Sequence, residues 1–149
     1  MKRILIIGAG GQIGSELTPY LRSIYGKENI VATDVRECSK LRGDGPFEVL
    51  NALDATALAS VVARYKIDTI FNLVALLSAV GEKNPQMAWE INMTALLNSL
   101  EVVVNITVLY LHQVRSVPLA LHPQKMVRHK IPSCNQQQYM VYVRLQARC

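Results

Sequence analysis

The sequence predicts an α/β protein with a partial, doubly wound parallel sheet and an irregular C-terminal tail. Three observations predict this class: short apolar runs alternate with helical patterns, glycines cluster directly after the first run, and the composition changes near Glu101. Alternation of this kind favours parallel strands joined by crossover helices. We therefore predict two parts, residues 1–101 and the tail of residues 102–149.

The first two predicted strands flank a helix. Ile4–Ile7 is a continuous apolar run, typical of a parallel strand that is buried on both faces. A second strand over residues 30–33 leads into Asp34, and residues 35–46, with charges, glycine and proline, predict a loop. The apolar positions of the helix between the strands are Leu17, Leu21 and Ile24.

Two further strands and two helices complete the first part. The predicted strands cover residues 47–50 and 69–73. Between them, Asp54 can cap a helix that ends near Tyr65. Pro85 suits the first turn of a last helix, which continues to the end of this part.

The tail follows a different pattern. Residues 102–111 could form a fifth strand, but Pro118, Pro123 and Pro132 interrupt any later helix. The net charge of +5 arises after residue 100, because the first 100 residues balance ten basic against ten acidic side chains. The scattered basic charges come with no nucleic-acid-binding motif, so we expect no nucleic-acid partner.

Several protein classes are excluded by the composition. No apolar run approaches the roughly 18 residues that a membrane span needs, and a strand begins almost at the first residue, so we expect a cytoplasmic protein without a signal peptide. The three cysteines are odd in number and widely spaced, which argues against a disulfide framework. The histidines and Cys134 match no common zinc spacing, so we predict no metal site.

A dinucleotide-binding motif follows the first strand. Gly8, Gly11 and Gly14 recur at every third position, with Gly10 in addition. In a Rossmann fold such glycines make the tight turn, let the pyrophosphate approach the backbone and let the helix pack on the strand, and the helix N-terminus attracts the phosphates. We therefore predict NAD as the cofactor. The residues predicted to bind it in this turn are Gly8, Gly10, Gly11, Gln12, Ile13 and Gly14.

Asp34 supports this prediction, because it ends the second strand 20 residues after Gly14. Its carboxylate is expected to accept hydrogen bonds from the adenosine ribose. At about 4 Å and an effective dielectric constant near 20 it would repel each charge of a 2′-phosphate by about 4 kcal/mol, which favours NAD over NADP. Arg36 could soften this repulsion.

Two further positions border the predicted cofactor path. Asp54 has two interpretations that the sequence leaves open: a helix cap, or a residue that faces the adenine. The segment that follows the fourth strand, with Leu73 and Ala75, lies where a cofactor crossing the carboxyl edge of the sheet must pass.

Residues 76–82 (Leu-Leu-Ser-Ala-Val-Gly-Glu), Pro85 and residues 89–93 (Trp-Glu-Ile-Asn-Met) resemble the NAD-dependent L-threonine 3-dehydrogenases, which are extended short-chain dehydrogenases of the NAD-dependent epimerase/dehydratase family. The resemblance covers residues 1–101. It implies L-threonine as substrate and 2-amino-3-ketobutyrate as product, with hydride transfer to NAD. It also implies that Ser78 lies near the substrate.

The resemblance assigns further roles. Leu73 and Ala75 would line the cofactor, and Asn92 would belong with the cofactor-binding residues, in the helix that supports the active site. That helix contributes to the dimer of the family. For this chain the resemblance leaves the oligomeric state open, because the family dimer uses a second helix that lies beyond the resemblance.

One departure from the family concerns catalysis. Its general base is the tyrosine of Tyr-x-x-x-Lys, and no tyrosine of this chain has a lysine four residues later. The chain is also less than half the family's length. We therefore assign no catalytic residue and predict an NAD-binding protein that is inactive as encoded. The alternatives are an oxidoreductase with an unrecognised base and a non-enzymatic NAD-binding or interaction module with a basic tail.

The genetic code suggests why the tail differs. Read from the third base of each codon, residues 136–145 can encode Thr-Thr-Ile-Tyr-Gly-Val-Cys-Lys-Val, which contains Tyr-x-x-x-Lys. Its glycine is fixed by Met140 and Val141. The same shift lets residues 109–126 encode a stretch that resembles the family's fifth strand and catalytic Ser/Thr loop. We therefore expect that the tail is read in a shifted frame from about Val103.

Overall fold

The computed structural model describes residues 3–76, 83–104, 109–115, 129–130 and 138–144, with side chains as far as Val103. A 3₁₀ turn lies at Lys27–Asn29. The helices of these ranges are α1 (Gln12–Tyr25), α2 (Ser39–Gly43), α3 (Ala55–Tyr65) and α4 (Pro85–Val104). The strands are β1 (Ile4–Ile7), β2 (Ile30–Asp34), β3 (Phe47–Val49), β4 (Thr69–Asn72), β5 (Leu109–Arg115), β6 (His129–Lys130) and β7 (Gln138–Arg144).

The strands form one sheet in the order β3-β2-β1-β4-β5-β7-β6. β1, β2, β3, β4 and β5 run parallel, which confirms the predicted class. The chain moves outward from β1 to β2 and β3 on one side and to β4 and β5 on the other. The order therefore reverses at β1, and ligands of such sheets bind beyond the carboxyl ends of the strands at this point.

Both faces of the sheet are covered around β1. Successive side chains of a strand point to opposite faces, so Leu5 and Ile7 pack into one cluster, with residues of α3 and α4. Ile4 and Ile6 pack into the other, with Leu21 of α1 and with Phe47. The continuous apolar pattern of β1 is thus explained by burial on both faces.

The structure corrects the predicted bounds in two places. Residues 35–46, predicted as a loop, contain the short helix α2. The prediction of a strand over residues 102–111 is wrong in its bounds, because Val102 and Val103 lie in the last turn of α4 with 8% and 1% of their surface exposed. The strand beside β4 is β5, which pairs Thr69 with Leu109 in parallel.

Two features of α1 differ from the apolar pattern that predicted it. Ile24, a predicted apolar position, is 54% exposed, whereas Arg22 is 2% exposed. Pro19 lies inside the helix.

Beyond β5 the strands of the sheet are antiparallel, since β7 pairs antiparallel with β5 and with β6. In the part of the chain that the structure describes, no helix is long and apolar enough to cross a membrane.

Candidate functional site

The loop between β1 and α1, residues 8–11, is called the glycine turn below. Its first residue, Gly8, has φ of 82°, in the left-handed region that favours glycine. The N–H groups of Gly8 and Ala9 both donate to the carbonyl of Thr33, at 2.9 Å. The turn is thereby fixed to the end of β2, next to Asp34.

Gly14 brings the helix against this turn. A Cβ at Gly14 would lie 2.5 Å from the Cα of Ala9 and 2.5 Å from the carbonyl oxygen of Gly8. Both contacts are with backbone, which cannot move without displacing the turn. Glycine at this position is therefore required for close packing of α1 on the loop.

The N-terminus of α1 is open toward solvent. Its cap is Gly11, which has no side chain to bond the first N–H groups, and the first turn carries no acidic residue. A Cβ at Gly11 would meet only the Gly8 carbonyl oxygen, at 3.3 Å. Gly10, Gly11 and Gln12 are exposed. The first N–H groups of a helix lack intrahelical partners, so this end is suited to an anionic group.

Asp34 stands at the edge of the glycine turn. Its Oδ2 accepts a hydrogen bond from the N–H of Gly10 at 2.9 Å, and its Oδ1 accepts one from the N–H of Arg36 at 3.1 Å. Its main-chain carbonyl accepts from the N–H of Leu50. The structure thus brings the predicted acid next to the predicted turn, as dinucleotide binding requires.

The carboxyl end of β4 is held by two asparagines. Asn72 is fully buried; its Oδ1 accepts from the N–H of Val74, and its Nδ2 donates to the Ala95 carbonyl at 3.3 Å. Asn92 of α4 bonds both backbone groups of Leu76: its Oδ1 accepts from the N–H at 2.7 Å, and its Nδ2 donates to the carbonyl at 3.4 Å. These bonds fix residues 73–76, which include Leu73 and Ala75, against α4.

The predicted helix cap at Asp54 is confirmed, since Oδ1 of Asp54 accepts from the N–H of Ala57 at 2.9 Å. Its interpretation as an adenine neighbour stays a prediction. Ser78 lies outside the described residues. Among the residues that the structure describes, no group of three potential metal ligands is close enough to hold an ion.

Sequence reasoning missed Arg22. Its guanidinium donates to the carbonyls of Leu41 and Pro46, at 2.8 and 2.7 Å, and lies 3.7 Å from Asp44. Burial lowers the pKa of Arg22, and Asp44 opposes that shift. Arg22 thereby ties the last turn of α1 to the segment that leads into β3. The signal was present, because Arg22 falls on the same helical face as Gly14 and Thr18.

Asn72 was missed as well. It ends an apolar strand, where an amide side chain must find partners inside the protein. A single polar residue at the carboxyl end of a buried strand was the available signal.

Comparison with known proteins identifies the family. The model of the NAD dependent epimerase/dehydratase family matches residues 4–137. An uncharacterized epimerase/dehydratase of Staphylococcus haemolyticus is 48% identical over 103 residues, which are 68% of this chain and 32% of that protein. The chain therefore belongs to the NAD dependent epimerase/dehydratase family, and it spans about a third of the length of such curated relatives.

Solved structures give a finer likeness. The L-threonine dehydrogenase of Clostridium difficile superposes with a TM-score of 0.70 at 42% identity, covering 74% of this chain and 35% of that one. The L-threonine dehydrogenase of Cupriavidus necator, in its holo form, superposes with a TM-score of 0.66 at 48% identity, covering 69% and 33%.

Proposed function

We propose that this member of the family binds NAD across the carboxyl ends of β2, β1 and β4. The pyrophosphate would lie at the glycine turn and the N-terminus of α1, and the adenosine ribose would bind Asp34. The other half of the cofactor would lie along residues 73–76. When bound, NAD supplies the acceptor for a hydride.

The single observation that supports this most is the contact between Asp34 and the glycine turn. The Gly10 N–H lies 2.9 Å from the carboxylate, so a phosphate group and the adjoining ribose could be reached together. The absence of a side chain at Gly11 leaves room beside the helix end that any Cβ would partly fill. The residues therefore fit the cofactor that the family name implies.

We further propose that NAD is preferred over NADP. The carboxylate of Asp34 would face a 2′-phosphate at close range, and like charges repel strongly where solvent is partly excluded. Arg36 is the residue that could soften this repulsion. Its side chain is exposed, and the backbone N–H of Arg36 donates to Asp34.

The test is a titration of the full chain with NADH, followed by cofactor fluorescence. The variant Gly11→Val places a branched side chain beside the helix end, and Asp34→Ala removes the ribose acceptor. We expect both to weaken binding, and NADPH to bind less tightly than NADH. Equal binding by the unmodified chain and both variants would contradict the proposal.

For the reaction, we propose that the complete family architecture around this half oxidises L-threonine. Support comes from the residues 76–93 pattern and from the likeness to two L-threonine dehydrogenases. The 149 residues hold no Tyr-x-x-x-Lys, and positioned general bases contribute about 10² to 10⁴ in rate. We therefore propose that this chain by itself binds NAD without oxidising threonine.

We also propose that the tail is translated in a shifted frame from about Val103. The shift restores Tyr-x-x-x-Lys and a family-like Ser/Thr loop together. Sequencing the gene and its transcript through codons 100–149 tests the idea, because a stop codon early in the alternative frame would exclude it.

A further inference from the structure

The carboxylate of Asp34 is already engaged with backbone on both of its oxygens. The Gly10 N–H donates to Oδ2 at 2.9 Å, and the Arg36 N–H donates to Oδ1 at 3.1 Å. The approach is close enough that a Cβ at Gly10 would lie 3.0 Å from Oδ2 and 3.2 Å from Cγ. Asp34 and the glycine turn therefore fit each other before any ligand is considered.

Gly10 differs from its neighbours in how its N–H is satisfied. The N–H groups of Gly8 and Ala9 donate to the Thr33 carbonyl, and that of Gly11 donates to the Gly8 carbonyl. These three bonds are made within the backbone. The N–H of Gly10 instead donates to the side chain of Asp34, at the end of β2, so the path of the turn at Gly10 depends on that side chain.

We infer that Asp34 is a positioning residue for the glycine turn, in addition to being the ribose ligand that the proposed function assigns to it. A carboxylate offers about four acceptor sites. Two are used by backbone N–H groups, and two remain for a pair of vicinal hydroxyls. The ligand class that completes this set is a diphosphate linked to a furanose with both hydroxyls free.

This inference rests on the proposed function and differs from it in what it predicts for ligands without hydroxyls. If Asp34 only held the ribose, its removal would not weaken binding of a diphosphate that lacks the 2′- and 3′-hydroxyls. If Asp34 also shapes the turn, its removal weakens that ligand too. ADP and 2′,3′-dideoxy-ADP are the two probes that separate these cases.

The first experiment measures both probes by calorimetry on the full chain and on Asp34→Ala and Asp34→Asn. The control is Glu37→Gln. Glu37 lies three residues after Asp34, is exposed and pairs with Arg42, so this variant removes a negative charge of the same size near the site. Loss of a nearby negative charge favours an anionic ligand, so the control gives the size of this opposite effect.

We expect Asp34→Ala to weaken binding of 2′,3′-dideoxy-ADP by about tenfold, the effect of losing one charge-assisted hydrogen bond. Asp34→Asn keeps one acceptor oxygen and should show a smaller loss, whereas Glu37→Gln should bind as the unmodified chain does or slightly more tightly. The inference is overturned if Asp34→Ala loses affinity for ADP alone and binds the dideoxy ligand undiminished.

A second measurement needs no ligand. Amide hydrogen exchange, read by NMR, should be faster at Gly10 by about tenfold in Asp34→Ala, because the N–H loses its acceptor. Unchanged exchange rates of the Ile6 and Val31 amides would show that the sheet is intact. Unchanged exchange at Gly10 overturns the inference, whereas failure of the unmodified chain to bind ADP or NADH overturns the proposed function instead.

Discussion

Two regions of the chain can be compared: the first comprises residues 3–76 and 83–104, and the second comprises the strands β5, β6 and β7. In the first region the sequence pattern matches the strand topology more closely than in the second. In the first region each strand pairs in parallel with its neighbour, glycines stand at the turn, and basic and acidic side chains are nearly equal in number. In the second, β7 pairs antiparallel with β5, glycine is lacking after Gly81 and Glu101 is the last acidic residue. Agreement across levels marks a sequence that specifies its fold, and it is present in the first region.

The difference extends to function. The features that suit a dinucleotide, namely the glycine turn, Asp34 and the end of β4, all belong to the first region. The Tyr-x-x-x-Lys that the resemblance implies is not encoded in the second region. The proposed NAD binding and the proposed lack of threonine oxidation can therefore be tested separately.

The largest effect on the first region is expected from Gly14→Ala. The added Cβ would lie 2.5 Å from two backbone atoms, so α1 must move away from the turn. We expect the free energy of unfolding to fall by about 3 kcal/mol, the upper range for overpacking. Urea denaturation followed by circular dichroism measures it.

The matched control is Gly43→Ala in α2, where a Cβ would meet nothing within 4 Å. This change should be neutral or stabilise the fold by about 0.4–1 kcal/mol, through the unfolded chain. Equal destabilisation by both variants would show that Gly14 is not packed as described.

The next effect concerns the end of β4. Asn92→Asp keeps an acceptor for the Leu76 N–H but turns a carboxylate oxygen toward the Leu76 carbonyl. We expect a loss of about 1–3 kcal/mol in the free energy of unfolding, the cost of a part-buried unsatisfied polar group. NADH affinity should fall more than ADP affinity, because residues 73–76 would carry the half of NAD that ADP lacks.

Asn98→Asp is the control on the same helix. The Asn98 amide donates to the Ala52 carbonyl at 3.0 Å, away from the end of β4. It should lower stability to a similar extent and change the affinities for NADH and ADP equally. A selective loss of NADH binding in Asn98→Asp would count against the proposed position of the cofactor.

The smallest effect is expected at Asp54. Replacing a helix cap by alanine costs about 1 kcal/mol, and serine at the cap restores most of it. Asp54→Ser therefore separates the two interpretations of this residue. Undiminished NADH affinity in Asp54→Ser would leave capping as its role, whereas weaker binding at native stability would place Asp54 near the adenine.

Much of the first region was predictable because its signals are local. The apolar run of Ile4–Ile7, the cap at Asp54 and the start of α4 at Pro85 each follow from residue type and spacing, and each is found. The position of Asp34 beside the turn was predictable too, because parallel strands bring their carboxyl ends to one edge.

The partners of the other polar residues depended on tertiary contacts that no local pattern encodes. Arg22 is buried because carbonyls from another segment receive its guanidinium, and Asn92 meets Leu76 only after α4 packs on the sheet. The bounds near Val103 were wrong because an apolar run reads equally as strand or buried helix.

The proposed separation of NAD binding from threonine oxidation is tested most directly by a pair of threonine oxidation assays, with NADH formation followed by absorbance. One sample is the purified 149-residue chain, and the other is the product of the gene with one base inserted or two deleted near codon 103. We expect no turnover above background in the first sample and measurable turnover in the second. Threonine-dependent NADH formation by the unedited chain would contradict the proposed inactivity of this chain.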